Sequence, residues 1–142
     1  MLRFPLIHPP LLAALAAAGH GGRILLADAN YSHSTNVSPG AGLIHLNLRP
    51  GLVTVDQVLE PVLSAVPIEA ATVMRPDDGS TPAVFDSYRR LLGEDLPLEP
   101  LGRLEFYAEC RQPDLAVCVA TGDERLYANL LLTIGYITPR PG

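Results

Sequence analysis

Gly19-His20-Gly21-Gly22-Arg23-Ile24-Leu25-Leu26-Ala27-Asp28-Ala29-Asn30 is the stretch in which this chain passes from packing to chemistry. An Ala/Leu segment, Leu11 to Ala18, has helical composition and stops at Gly19. A glycine pair follows, and then Arg23 to Ala27, an apolar run with the length of a buried strand, delivers Asp28 at its carboxyl end. In open α/β sheets ligands settle beyond that edge. The spacing therefore leads us to expect His20 and Asp28 in one pocket, since a histidine beside a carboxylate is an acid/base unit that works near neutral pH. The same residues are also what caps and turns favour, so the pattern alone leaves a structural role open.

Leu11 to Ala18 is entered through His8-Pro9-Pro10, with proline in the first turn and His8 near the cap. Beyond Asp28, residues Asn30 to Asn36 form a polar loop over the strand edge, with Asn30, Tyr31 and His33 as secondary candidates. Leu43 to Leu48 reads as a short strand with His45 on its wetter face. Thr54 and Gln57 make a capping box for a helix over Val55 to Val66, which Pro61 is expected to end or kink. Ile68 to Met74 is a second buried strand. Asp77 and Asp78 belong to a solvated turn rather than a calcium loop. Ser80 or Thr81 is placed to cap a helix with Pro82 in its first position, Phe85, Tyr88, Leu91 and Leu92 on one side and Gly93 as its stop. Glu94 to Pro100 reads as a connector within one domain. Leu115 to Ala120 is a strongly apolar strand ending in the polar turn Thr121 to Arg125, and Leu130 to Ile134 closes the pattern.

This alternation predicts an α/β fold: one layered domain spanning 1–142, with a mostly parallel sheet flanked by helices. The 142 residues are 48% hydrophobic and 18% charged, which suits a globular chain with its own core. No apolar run is long enough to cross a bilayer, the amino terminus lacks the parts of a secretory signal, and the cytoplasm is the expected compartment. Cys110 and Cys118 stand in no metal or redox spacing and read as reduced structural thiols. Net charge is −5, there is no lysine, and the ten arginines are scattered singly apart from Arg89-Arg90, which disfavours nucleic acid as a partner. No glycine fingerprint follows a predicted strand, so no dinucleotide cofactor is expected. A zinc site drawn from His20, Asp28, His33 and His45 stays open as an alternative, although its spacings match no familiar closed site.

Gly19-His20, Asp28-Ala29-Asn30, Arg103 before Phe106-Tyr107-Ala108-Glu109, Thr121-Gly122, and Tyr127-Ala128-Asn129 occur in an order and at spacings that resemble the RbsD/FucU family of sugar pyranases and mutarotases. The resemblance runs over nearly the whole chain. It implies an isomerase that exchanges anomers, or pyranose and furanose forms, of a free monosaccharide without a cofactor. His20 matches the family's acid/base histidine, Asp28 joins it in catalysis and binding, and Arg103, Tyr127, Ala128 and Asn129 fall on sugar-binding positions. It further implies a ring-shaped homo-oligomer, often a decamer, with sites at subunit contacts. Asp28-Ala29-Asn30, Arg103 and Phe106-Tyr107 are similar to the fucose-type branch, whereas Ala128 stands where that branch commonly has glycine, and the Asn30 to Asn36 loop is one residue shorter. L-fucose or a related sugar is the favoured substrate, and a non-catalytic sugar-binding accessory protein is the alternative.

Overall fold

The computed structural model describes all 142 residues. Its elements in chain order are α1 (Pro9–Ala18), β1 (Arg23–Ala27), β2 (Gly42–His45), α2 (Val55–Ala65), β3 (Ile68–Met74), α3 (Val84–Leu92), β4 (Leu98–Leu101), α4 (Arg103–Cys110), β5 (Leu115–Ala120) and β6 (Leu130–Ile134). The six strands form one sheet in the order β2-β5-β1-β6-β3-β4. β1 pairs parallel with β5, β5 with β2 and β3 with β4, while β6 runs antiparallel to both β1 and β3. The sheet is thus mixed and mostly parallel, with one reversed strand near its centre.

Both faces of β1 are buried because layers cover the sheet on each side. Ile24 and Leu26 pack with Leu11 and Leu15 of α1, Val58 and Leu59 of α2, and Phe85 and Tyr88 of α3. Leu25 and Ala27 point the other way, into a second cluster with Phe106 and Cys110 of α4 and Tyr31 of the loop after β1. Adjacent strand residues face opposite sides, so a continuous apolar run is what a central strand requires.

Several local expectations meet the structure directly. The His8 side chain accepts the Leu11 amide at 3.3 Å and caps α1. Thr54 and Gln57 form both halves of the capping box on α2. Pro61, however, neither ends nor interrupts α2, which continues to Ala65 because Val55, Val58, Leu59 and Val62 bury one face across it. The expected helix start near Pro82 moves to Val84, with Ala83 in the cap position and no side-chain cap. Leu98–Leu101, which takes in the end of the expected Glu94 to Pro100 connector, is an edge strand along β3. Its Pro100 is tolerated there because an edge strand has a side that needs no donor.

Register decides where the polar segments gather. Ala27 at the end of β1 pairs with Ala120 at the end of β5, and Leu26 pairs with Leu130 at the start of the reversed β6. Asp28, the Thr121–Asp123 turn and Tyr127–Asn129 consequently share one edge. Val73 pairs with Leu130, and Met74 with Leu101 two residues before Arg103, which brings the ends of β3 and β4 to the same edge. The opposite edge holds His20, Glu69 and Tyr136, tied together by the hydrogen bond from the Gly21 amide to the Ile134 carbonyl at 2.9 Å.

Candidate functional site

Asp28 sits one residue past β1 and is only 3% exposed. Its backbone amide donates to Asn129 Oδ1 at 2.8 Å, its carboxylate accepts the Asn30 amide at 3.0 Å, and the next amide, of Ala29, donates to the Asp123 carbonyl at 2.9 Å. Burial pushes the carboxyl up from its usual value to about 6. The amides of Asn30, Tyr31 and Ala128 partly counter that, and the nearby Asp123 charge adds to it. The result is a carboxylate that is ionised at neutral pH yet holds a proton more readily than an exposed one.

A cavity of about 200 Å³ opens above Asp28. Asn30, Asn129, Arg103 and Tyr127 line it with polar groups, and Tyr31, Met74, Tyr107 and Leu126 supply the rest of the wall. Asn129 spends its side-chain oxygen on the Asp28 amide, which leaves its side-chain N–H donors for a ligand. Arg103, the first residue of α4, lies 3.8 Å from Asp77 and carries its guanidinium 6.0 Å from the centre of the Tyr107 ring. Tyr107 packs edge-on against Tyr31 at 5.5 Å, and the Tyr31 hydroxyl donates to the Asn36 carbonyl at 2.8 Å.

Tyr127 has φ 61, the left-handed region that side-chain-bearing residues seldom occupy. It stays there because its neighbours are fixed on both sides. Ala128 is fully buried and takes the Tyr88 hydroxyl on its carbonyl at 2.6 Å, and Asn129 is tied to Asp28. Ala128, expected at a sugar-binding position, does not line the cavity and meets the site only through its backbone amide, which bonds the Asp28 carboxylate. Upstream, the Thr121 hydroxyl and amide both donate to the Ala27 carbonyl, at 2.7 and 3.0 Å, locking the β5 exit to the β1 exit.

The expectation that His20 and Asp28 meet is overturned within one chain. They leave β1 at opposite ends, and a strand of that length rises about 17 Å. His20 is more than half exposed, with Nε2 3.1 Å from Glu69 Oε2 and its ring edge-on to Tyr136 at 5.3 Å. His20 is thereby parted from Asp28, His33 and His45, and no three His, Cys, Asp or Glu side chains come together as a metal site. His33 lies beside Tyr31 with its Nε2 buried and unpartnered, and burial lowers its pKa, but it does not line the cavity. Of the residues singled out in the sequence, Asp28, Asn30, Tyr31, Arg103, Tyr107, Tyr127 and Asn129 share the cavity. Nothing in the sequence marks Met74 and Leu126, which also line it, because an apolar residue at an element's end looks like ordinary core.

A mixed α/β sheet whose carboxyl edge holds a small polar cavity, with a buried carboxylate as its floor and fixed amide, guanidinium and phenol groups around it, defines a domain built to hold a small polar molecule. The sequence model of the RbsD / FucU transport protein family matches residues 1–137, and the chain belongs to that family. A fucose mutarotase of Danio rerio is 35% identical over 143 residues, covering 92% of this chain and 90% of the relative. A D-ribose pyranase of Paracidovorax citrulli is 37% identical over 139 residues, covering 95% of this chain and 98% of the relative. Among solved structures, the fucose mutarotase from Streptococcus pneumoniae in complex with L-fucose superposes with a TM-score of 0.81 at 28% identity, covering 97% of this chain and all of that one. No helix is long and apolar enough to cross a membrane.

Proposed function

We propose that this protein is a mutarotase that interconverts the anomers of a free monosaccharide by acid/base ring opening, with L-fucose or a related sugar as substrate. The observation that carries the reading is the buried Asp28 carboxylate flooring a monosaccharide-sized cavity beside Arg103, Tyr127 and Asn129. The fucose mutarotase and D-ribose pyranase relatives support it. Met74 and Leu126 in the cavity wall favour a sugar with a methyl group over a fully hydroxylated one.

Anomer exchange needs two proton transfers. Asp28, ionised at neutral pH, takes the proton from the anomeric hydroxyl, and an acid gives one to the ring oxygen as the bond between that oxygen and the anomeric carbon breaks. The open chain now carries an aldehyde. Rotation about the adjacent carbon–carbon bond exposes its other face, and the two transfers in reverse close the ring as the other anomer. Arg103 and the Asn129 amide hold sugar oxygens, and the Tyr127 ring covers an apolar face. No step calls for a cofactor.

His20 supplies the second proton in this reading, and its distance from Asp28 along β1 requires that it come from a second copy of the chain. A contact joining the His20 edge of one copy to the pocket edge of the next is heterologous and closes into a ring when its rotation allows, in keeping with a homo-oligomer such as a decamer. Large apolar side chains exposed at both edges support that contact: Leu104 and Leu126 at 71% and 67% beside the cavity, Tyr136 and Ile137 at 68% and 78% beside His20. The whole chain acts as one unit in the cytoplasm, a reading that two free, buried cysteines support.

Saturation-transfer NMR on L-fucose and D-ribose tests the activity. Added protein is expected to speed exchange between α and β signals. Binding of either sugar with no change in exchange would instead make the protein a sugar-binding accessory.

A further inference from the structure

The loop between β5 and β6 carries a buried charge that the chemistry above does not use. The Asp123 side chain is 1% exposed, and both of its oxygens are occupied. Oδ2 accepts the Val55 amide, the first of α2, at 2.9 Å, and Oδ1 accepts the Arg125 amide at 3.1 Å. The Arg125 guanidinium then closes on both oxygens, with Nε 2.9 Å from Oδ1 and one terminal nitrogen 2.6 Å from Oδ2. That same nitrogen donates to Asp56 of α2. Arg125 therefore joins the loop to the first turn of a helix that belongs to the opposite layer. The backbone of Asp123 meanwhile holds the Ala29 amide next to Asp28.

Two residues beyond Arg125 stands Tyr127 in its left-handed conformation. Such a conformation persists only where the surroundings over-determine it. Its downstream anchors are the Tyr88 and Asn129 hydrogen bonds, and its upstream anchor is Arg125. We infer that Arg125 is a positioning residue for this site: by clamping Asp123 to Asp56 it holds the β5–β6 loop so that Tyr127 faces the cavity, and it neutralises the Asp123 charge behind Asp28. The consequence for turnover rests on the mutarotase reading; the consequence for Asp28 does not.

Asp28 feels several groups. Asp123 lies behind it, ion-paired with Arg125, which also pairs with Asp56, and His33 meets its backbone. Arg103, Tyr107 and Tyr127 face it across the cavity, Tyr31 adjoins it in the wall, and Tyr88 of α3 is close enough for their charges to interact. Burial would raise Asp123, but the Arg125 hydrogen bonds and the Val55 amide outweigh it and hold that carboxyl below the usual range. Without the guanidinium, a buried anion beside Asp28 is uncompensated, and the Asp28–Asp123 pair then titrates at higher pH.

The experiment compares wild type with Arg125→Gln, Arg125→Lys and Asp56→Asn by two readouts. One is 13C NMR titration of the Asp28 carboxyl, assigned with Asp28→Asn; the other is the steady-state rate of L-fucose anomer exchange against pH. Arg125→Gln is expected to raise the Asp28 titration from about 6 by about half a pH unit or more, to move the acid limb of exchange with it, and to raise KM about tenfold. Arg125→Lys restores the charge without the planar fork, so the titration returns toward wild type while KM stays high. Asp56→Asn loosens one anchor and raises KM with little movement of the titration. A thermal midpoint that falls while the titration and KM stay at wild-type values in Arg125→Gln overturns the inference. Should that variant not fold, unchanged KM in both Arg125→Lys and Asp56→Asn overturns it. Wild-type protein without exchange activity would sink the mutarotase reading alone, leaving the carboxyl titration to decide the role of Arg125.

Discussion

Replacing Asp28 with asparagine removes a buried charge whose desolvation its hydrogen bonds do not offset, and the fold should register the loss as a pH-dependent gain in stability. An unfolded aspartate titrates near its ordinary value of 3.8, and the folded one is pushed up to about 6. The folded state therefore holds the proton more tightly. Below pH 4 the carboxyl is protonated in both states and costs nothing. As pH rises from about 4 to 6 the unfolded chain releases its proton first, and stability is lost across that window. Above it, the ionised carboxylate costs the fold about 3 kcal/mol relative to the neutral form. Asp28→Asn escapes this cost but gives up one acceptor for the amides around it, a loss of about 1 kcal/mol per bond. The variant is thus expected to be slightly less stable than wild type at pH 4 and about 1–2 kcal/mol more stable at pH 7, while losing anomer exchange. Urea unfolding at several pH values and one fixed protein concentration measures the difference. A gap between variant and wild type that stays flat from pH 4 to 7 would refute the reasoning, because Asp28 would then not be titrating where its burial implies.

Two further substitutions separate site geometry from stability. Tyr127→Gly relieves a left-handed backbone at a position where glycine costs nothing in φ, so chemical denaturation should show stability unchanged or raised by up to about 1 kcal/mol, while the KM for L-fucose rises about tenfold from loss of the ring. Gly122→Ala acts in the opposite sense. A Cβ there would lie 2.2 Å from the Leu52 carbonyl oxygen and 2.4 Å from that of Arg49, both backbone atoms that cannot swing aside, and the expected cost is at least about 3 kcal/mol in the same measurement.

The strands that build the centre of the sheet were legible because they are buried on both faces. Arg23–Ala27, Ile68–Met74, Leu115–Ala120 and Leu130–Ile134 are apolar runs bounded by glycine or polar turns, and the observed elements keep those limits. β4 escaped notice for the converse reason: it is an edge strand, carries Glu99 and Pro100, and has only one covered neighbour. Pro61 misled because a local rule about missing donors gave way to four buried side chains on the same helix. The candidate site was legible through short motifs at Asp28, Arg103 and Tyr127–Asn129, yet their convergence depends on β6 entering the sheet reversed between β1 and β3, which no local pattern announces. Proximity in sequence suggested that His20 and Asp28 are neighbours. Eight positions along a helix would have kept them within reach, whereas across a strand the same step carries them to opposite edges. The Arg125 clamp was invisible because it joins residues far apart in the chain, and a lone arginine in a polar turn carries no distinguishing mark.

The proposal that Asp28 of one copy and His20 of another act on the same sugar is tested by mixing two inactive variants. His20→Ala and Asp28→Asn should each fold and each fail to exchange L-fucose anomers. Co-assembled in equal amounts from denaturant, they pair an intact Asp28 pocket with an intact His20 at about one contact in four, and exchange should return to about a quarter of the wild-type rate. Mixed assemblies that stay inactive at every ratio, while wild type treated in the same way recovers its activity, would contradict the account.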